Sequence, residues 1–441
     1  MTRHFWVLLH RYAGLYMAFF LTVAGLTGSV LAFYHELDGW LNSEHHQVAI
    51  LDRPMLDDFV LRDKALALLP QAQINQVSFN RKPGQVYEAG LTPRTDPATG
   101  KPYELGFLAM RLNPYSGELI DYGKDEGYWP LTRRNILNFI YALHYSLALG
   151  EVGVWLFGIA ALIWTIDCFV AFYLTFPVRR KKVGCAEVRG ASVANDALHY
   201  VQHILPFISV SKNENTQSGF WSRWALAWKV KWPASAFRLN FDLHRAGGLW
   251  TWLMLFVFAW SSVGFNLGPQ VYQPVMKTLF DLPDFSQFPI ANLPQPRPAP
   301  NIAWQDAHAI GRSLMAEQAR LNDFQIINEE ALQYQPDKGL FGYVVMSDRD
   351  INDKNGSTIV FFDGDSGAFV SLFTPSRQNA GMTISMWLFA LHMAAVWGLP
   401  YKIFVCLMGL VVAMLSVTGV YIWLKKRRAS KLKRPVSVFV N

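Results

Sequence analysis

Apolar residues run along the chain in four long stretches, 5–34, 136–176, 241–267 and 382–424. A bilayer core of ~30 Å is crossed by ~20 helical residues, so each stretch predicts one membrane span. The second and fourth exceed that length and predict tilt or projection beyond the bilayer. The first follows Arg3 as a secretory leader would, but its apolar core outruns the about 7–15 residues of a leader. Its opening also recurs later in the chain, so it reads as a retained helix.

Between the spans the pattern changes. Segments 36–132 and 268–381 each begin with an amphipathic helical stretch, about 56–69 and 303–320. Alternating β-type runs follow, as at 326–334 and 343–346, and each segment ends in a strand–turn–strand. The turns hold Ser116-Gly117 and Ser366-Gly367, residues suited to tight reversals. Two small α+β domains are expected, with the Pro-rich 281–300 as an extended connector. Segment 178–240 carries Trp221, Trp224, Trp228 and Trp232 at helical spacing among Arg223, Lys229 and Lys231. That stripe predicts an amphipathic helix at the headgroups.

Composition sharpens the picture. Of 441 residues, 51% are hydrophobic and only 17% charged, which excludes a disordered chain. The mean hydropathy of +0.14 excludes a wholly embedded transporter. The net charge of +7 does not call for nucleic acid, because the bases cluster beside apolar runs. Arg179-Arg180-Lys181-Lys182 follows the second span. Lys425-Lys426-Arg427-Arg428, Lys431, Lys433 and Arg434 follow the fourth. Positive charge stays cytoplasmic, so both termini are expected inside and both polar domains outside. Cys168, Cys185 and Cys406 form no CxxC pair, arguing against a disulfide framework, a zinc ribbon and covalent haem attachment.

The chain is also duplicated. Leu9-His10-Arg11-Tyr12-Ala13-Gly14-Leu15 opens the first span and Leu243-His244-Arg245-Ala246-Gly247-Gly248-Leu249 the third. Tyr141-Ala142-Leu143-His144 opens the second and Phe389-Ala390-Leu391-His392 the fourth, with Gly150 and Gly398 six residues beyond each His. Two units of helix, polar domain and helix should be related by a pseudo-two-fold axis along the membrane normal. The expected organisation is span 1–35, domain 36–132, span 133–177, cytoplasmic loop 178–240, span 241–267, domain 268–381, span 382–425 and tail 426–441.

A histidine within a span is costly and marks a functional candidate. For one isolated His, an interhelical hydrogen bond is the plainer explanation. Here the axis would set His10 opposite His244 at the cytoplasmic level and His144 opposite His392 at the other. Two facing neutral imidazoles are what haem iron takes as axial ligands, whereas other d-block ions usually want three or four protein ligands. Gly14 and Gly248 lie on the faces of His10 and His244 and would leave room for a flat macrocycle. Arg11 and Arg245 could pair with propionates or reach lipid phosphates. Arg133 and Arg134 could serve the second level. The two levels should be roughly 20 Å apart by helix rise. Trp155, Trp164, Trp260 and Phe256 lie between them.

His35 lacks a repeat partner and is a lesser ligand candidate. His45, His46 and His308 read as surface residues, and the His199/His203 pair is a weak metal signal. Asp167 is expected to hydrogen-bond within the bundle or assist a proton path. No GxGxxG, P-loop, HExxH or GxSxG is present, so electrons would have to come from a quinol or a protein donor.

The helix openings and Ser-Gly turns resemble the PepSY-associated transmembrane proteins over about residues 3 to 428. This family includes bacterial inner-membrane siderophore reductases of the FoxB type. The resemblance implies a mainly α integral membrane protein, a four-helix bundle with two PepSY-like periplasmic domains. It implies two haem b groups, with His10 and His244 as the inner ligands and His144 and His392 as the outer ones. The expected activity is reduction of Fe(III) in a siderophore, releasing iron. Two alternatives stand beside it: a haem-free membrane sensor or assembly factor, and a transporter of iron or siderophore. A transporter is disfavoured by the scarcity of intramembrane charge and of broken helices.

Overall fold

The computed structural model describes residues 2–123, 127–178, 219–283 and 289–432. Arg179 to Lys182, Cys185, His199, His203, Lys433 and Arg434 lie outside the described residues. The first apolar run forms α1 (Arg3–Leu31), followed by the short α2 (Tyr34–Leu41) and α3 (Ser43–His46). The second run is not one helix. It divides into α5 (Ile136–Ser146) and α6 (Gly150–Leu174). Leu147, Ala148 and Gly150 have φ of 52°, 54° and 60° at the join, the left-handed region that stops a helix. The fourth run breaks at the equivalent place, into α12 (Ala380–His392) and α13 (Gly398–Leu432), with Ala394, Trp397 and Gly398 at φ of 51°, 56° and 59°. The excess length of these runs is thus used in a break just after each His, where tilt was expected.

The third run also departs from a single span. It consists of α8 (Ala236–Trp250) and α9 (Trp252–Asn266), bent by 71° at Thr251. The expectation of unbroken helices fails here. At the bend the Gly247 carbonyl accepts both the Thr251 N–H at 3.2 Å and the Thr251 Oγ1 hydroxyl at 2.7 Å. Among the described residues three helices are long and apolar enough to cross a membrane, and a fourth span results if the bent pair is one.

α1 packs along α13 and α6, α9 on α6, and α8 on α13. At the α1–α13 crossing the backbones nearly touch. A Cβ on Gly25 would lie 2.5 Å from the Gly409 carbonyl oxygen, and Ser29 Oγ donates to the Cys406 carbonyl at 2.8 Å. Small residues and a hydroxyl bridge are how helices associate where lipid removes the hydrophobic drive. Phe19, Val152, Leu253 and Val417 are exposed on the outer face.

The polar segments contain helices and strands where their patterns predict them. The first holds α4 (Asp58–Leu68) and strands β1 (Ala72–Gln73), β2 (Gln76–Ser78), β3 (Tyr87–Gly90), β4 (Thr92–Pro93), β5 (Ala109–Leu112) and β6 (Leu119–Gly123). The second holds α10 (Gln273–Leu279), α11 (Trp304–Leu321) and strands β7 (Ile326–Gln335), β8 (Leu340–Ser347), β9 (Thr358–Asp363) and β10 (Phe369–Phe373). The two are joined, because β2 pairs antiparallel with β7 and completes a five-stranded sheet β10-β9-β8-β7-β2. Phe59 and Val77 of the first segment enter the core of the second. The Arg62 guanidinium sits 4.0 Å from the Trp304 ring centroid.

The tryptophan stripe is shorter than its spacing suggests. α7 (Phe220–Trp224) and a 3-10 turn Ala225–Trp228 carry three of the rings, and Trp232 lies past their end. Trp224 packs edge-on to Trp228 at 5.4 Å and to Phe172 at 6.0 Å, while Trp221 and Trp232 stay exposed.

Candidate functional site

The fold brings the repeated histidines together in two pairs. His10 on α1 faces His244 on α8 with ring centroids 6.0 Å apart, and His144 on α5 faces His392 on α12 at 6.2 Å. A metal–nitrogen bond of about 2.0 Å, with the ring centroid about 1.2 Å further back, puts two imidazoles on one metal at about 6.3 Å between centroids. Both pairs match that span.

Hydrogen bonds fix which nitrogen is available. Every His uses Nδ1. His144 bonds Thr27 Oγ1 at 3.0 Å, and His392 bonds Ser261 Oγ at 2.7 Å. His244 bonds the Leu415 carbonyl at 3.0 Å and Thr418 Oγ1 at 3.2 Å. His10 bonds both oxygens of Asp167, at 3.0 and 2.9 Å. The three hydroxyls already donate to helix carbonyls one turn back: Thr27 to Val23 at 2.7 Å, Ser261 to Val257 at 2.6 Å and Thr418 to Met414 at 2.8 Å. A hydroxyl has one proton, so each oxygen must accept from the imidazole. Nδ1 therefore carries the hydrogen in these three rings, as it does in His10, where a carboxylate accepts, and Nε2 is the nitrogen left to bind in all four. No Nε2 has a protein partner among the described residues. A metal-ligating imidazole is commonly held this way, with its other ring N–H given to a protein oxygen.

Each pair opens on a cavity. The one at His10 and His244 is about 460 Å³ and is also lined by Arg11, Gly14, Arg245 and Gly248. A Cβ at Gly14 or Gly248 would meet nothing within 4 Å, so both glycines border open room. The cavity at His144 and His392 is about 770 Å³. Both volumes suit a cofactor site of ~300–1,000 Å³. Leu21, Trp164 and Val412 line both cavities and form the partition between them. Among the described residues no group of three or more His, Cys, Asp and Glu is placed to hold a bare metal ion. Two imidazoles suffice only for a metal whose other positions are already filled, as a porphyrin fills them. The residues fit haem.

The remaining candidates divide. Arg245 lines its cavity, but its Nη2 bonds Asp242 at 2.9 Å and the Leu226 carbonyl at 2.9 Å. Its Nε is buried without a partner among the described residues. Arg11 lines the same cavity. Arg133 and Arg134 do not line the other one. Arg134 pairs instead with Asp121 at 2.8 Å, since the turn before α5 faces the first polar domain. The cations at the larger cavity are ones the sequence did not reveal. Lys354 lines it beside His35, and the buried Lys402 pairs with Glu36. Burial and the Lys402 charge push the Lys354 ammonium below its ordinary pKa. The loop bearing Lys354 is pinned onto the α12–α13 break: Asp353 N–H donates to the Ala395 carbonyl at 2.9 Å, and its Oδ2 accepts from Gly398 N–H at 2.8 Å. His35 faces no second His among the described residues; its ring lies edge-on to Tyr34 at 5.6 Å.

His45, His46 and His308 each sit by a carboxylate, Asp121, Asp38 and Glu329 respectively. Of the intervening aromatics, Trp260 packs on Tyr272 and Phe256 on Trp252, while Trp155 is exposed. Thr27, Ser261, Thr418 and Lys354 were missed by sequence reasoning. The first two had a signal, since they occupy the same position in the two repeat units.

No curated protein matches the chain. The profile of the PepSY-associated TM region matches it twice, over residues 7–205 and 214–426. Those two matches are the two repeat units, and the chain is a membrane protein belonging to the PepSY-associated TM family.

Proposed function

We propose that this protein is a di-haem b membrane oxidoreductase that passes electrons across the bilayer to Fe(III) in a siderophore. The observation that carries this reading is the pair of facing imidazole couples, with centroids 6.0 and 6.2 Å apart and every Nδ1 committed. Bound haem b would supply one-electron carriers at two depths of the membrane. The chain's own residues do the rest. Four Nε2 lone pairs bind. Thr27, Ser261, Thr418 and Asp167 hold the rings in the binding tautomer. Gly14 and Gly248 leave space, and Arg11 and Arg245 offer charge to carboxylates on one side as Lys354 does on the other.

The basic segments support cytoplasmic termini by the positive-inside rule. The polar domains then stand in the periplasm of a bacterium, with the chain in its inner membrane. A siderophore that reaches the larger cavity from that side meets the Lys354 loop. One-electron reduction of its Fe(III) to Fe(II) weakens binding by hard hydroxamate or catecholate oxygens, so release needs no acid–base residue. The electron donor would be a quinol or a protein.

The test is anaerobic. Dithionite-reduced protein, freed of excess reductant, is mixed with a ferric hydroxamate and an Fe(II) chelator. The expected result is reoxidation of the protein with about one Fe(II) captured per electron lost. Reduced protein that stays reduced, with no Fe(II) formed, would reject the reductase role.

A further inference from the structure

The four imidazoles are not supported alike. His144, His392 and His244 give their Nδ1–H to neutral oxygens. His10 gives its own to a carboxylate, within 3.0 Å of both oxygens of Asp167. In the second repeat unit, aligned on His144 and His392, Leu415 stands where Asp167 stands in the first. Leu415 offers His244 only its backbone carbonyl.

Asp167 is 6% exposed, on a helix apolar enough to span the membrane. Among the described residues its hydrogen bonds and ion pairs all go to His10. A carboxylate held this way is costly in a bilayer unless positive charge compensates it. A neutral imidazole supplies none. A cationic centre on the far nitrogen of that imidazole would. The core of a bis-imidazole haem carries one positive charge when ferric and none when ferrous, so the carboxylate stabilises the ferric form selectively. It also makes His10 the more basic ligand, which acts in the same direction.

We propose that Asp167 is a positioning residue that acts through His10 to give the His10–His244 site the lower reduction potential of the two. This rests on the di-haem reading above. The potential difference gives the bundle a direction: an electron is favoured to move from the Asp167 side toward the polar domains. The hydroxyls of Thr27 and Ser261, equivalent in the two units, carry no charge and impose no such bias on the other site.

The experiment is a spectroelectrochemical titration of the full-length protein in detergent, with His144→Ala used to identify the signal of the His10–His244 site. The expected result is two midpoint potentials, the lower belonging to that site. Asp167→Asn should move it positive and leave the other in place, and Asp167→Glu should keep it low. A higher potential at the His10–His244 site in the wild type overturns the proposal, and so does an Asp167→Asn protein with both potentials unchanged. Should Asp167→Asn fail to hold haem, the wild-type assignment decides alone. Wild-type protein without haem overturns the di-haem reading and this inference together. Two haems of reversed or equal potential overturn this inference only.

Discussion

The two histidine pairs come from one duplicated pattern, yet their surroundings have diverged. At the His144–His392 pair the supports are equivalent, a hydroxyl from α1 and a hydroxyl from α9. The cavity there is large, about 770 Å³, and a loop of the second polar domain reaches its mouth. At the His10–His244 pair the cavity is about 460 Å³ and the supports differ, a carboxylate against a backbone carbonyl and a hydroxyl. Duplication supplies the ligands twice because a bis-imidazole site needs two helices in register. The neighbours are free to differ, and they specialise each site: one is lined by a loop of the second polar domain, and the other is smaller and sets a carboxylate against one of its ligands.

Removing a ligand should separate the sites most sharply. His392→Ala is expected to halve the haem content and abolish ferric-siderophore reduction, while the His10–His244 signal persists; pyridine haemochrome and reduced spectra check this. Loss of both haems in that variant would make the sites one cooperative unit.

Filling the smaller cavity comes next. Gly14→Leu puts a side chain into open room beside His10 and should displace haem from that site with little loss of folded protein. Gly25→Leu, at the tight helix crossing, should unfold the bundle instead. Size-exclusion profiles and haem counts of the two variants distinguish space for a ligand from space for a helix.

The supporting hydroxyls should give intermediate effects. Thr27→Val and Ser261→Ala each leave an imidazole N–H without its partner. Each should cost about 1–3 kcal/mol and weaken haem retention about 10–100-fold, and by their equivalence the two losses should agree closely. Haem transfer to apomyoglobin measures this. A large inequality would break the symmetry assigned to this site.

The smallest effect is expected at Lys354, whose ammonium is disfavoured by burial and by Lys402. A lysine with a depressed folded pKa destabilises the fold at pH below that value. The penalty fades as pH rises toward the ordinary lysine range. Without haem, Lys354→Met should therefore melt at or slightly above wild type at pH 7, and the gap should close by about pH 10. Melting curves at the two pH values test it, and a gap that widens with pH would contradict the assigned repulsion.

Much of this was legible in the residues. The paired Leu-His-Arg and Ala-Leu-His openings announced the four histidines and their pairing, because repeat position and helix rise fix depth. The Ser-Gly turns and amphipathic stretches located the polar elements within a few residues. The breaks after His144 and His392 were half legible. Gly150 and Gly398 marked them, but Leu147, Ala148, Ala394 and Trp397 adopt positive φ without any preference for it. The β2–β7 pairing was not legible, since three residues of strand find a partner far along the chain only through tertiary packing. Asp167 was visible as a charge in an apolar run. What it bonds was not, because that depends on how α1 and α6 rotate against each other. For Arg133 and Arg134 the sequence likewise gives the depth but not the direction they face.

The most direct test of the central claim is the visible spectrum of the detergent-purified protein, oxidised and dithionite-reduced, with a pyridine haemochrome count. Sharp reduced α and Soret bands with about two haems per chain are expected, each lost separately when its own histidine is replaced. A colourless protein from cells supplied with haem would contradict the claim and return the four histidines to a structural role.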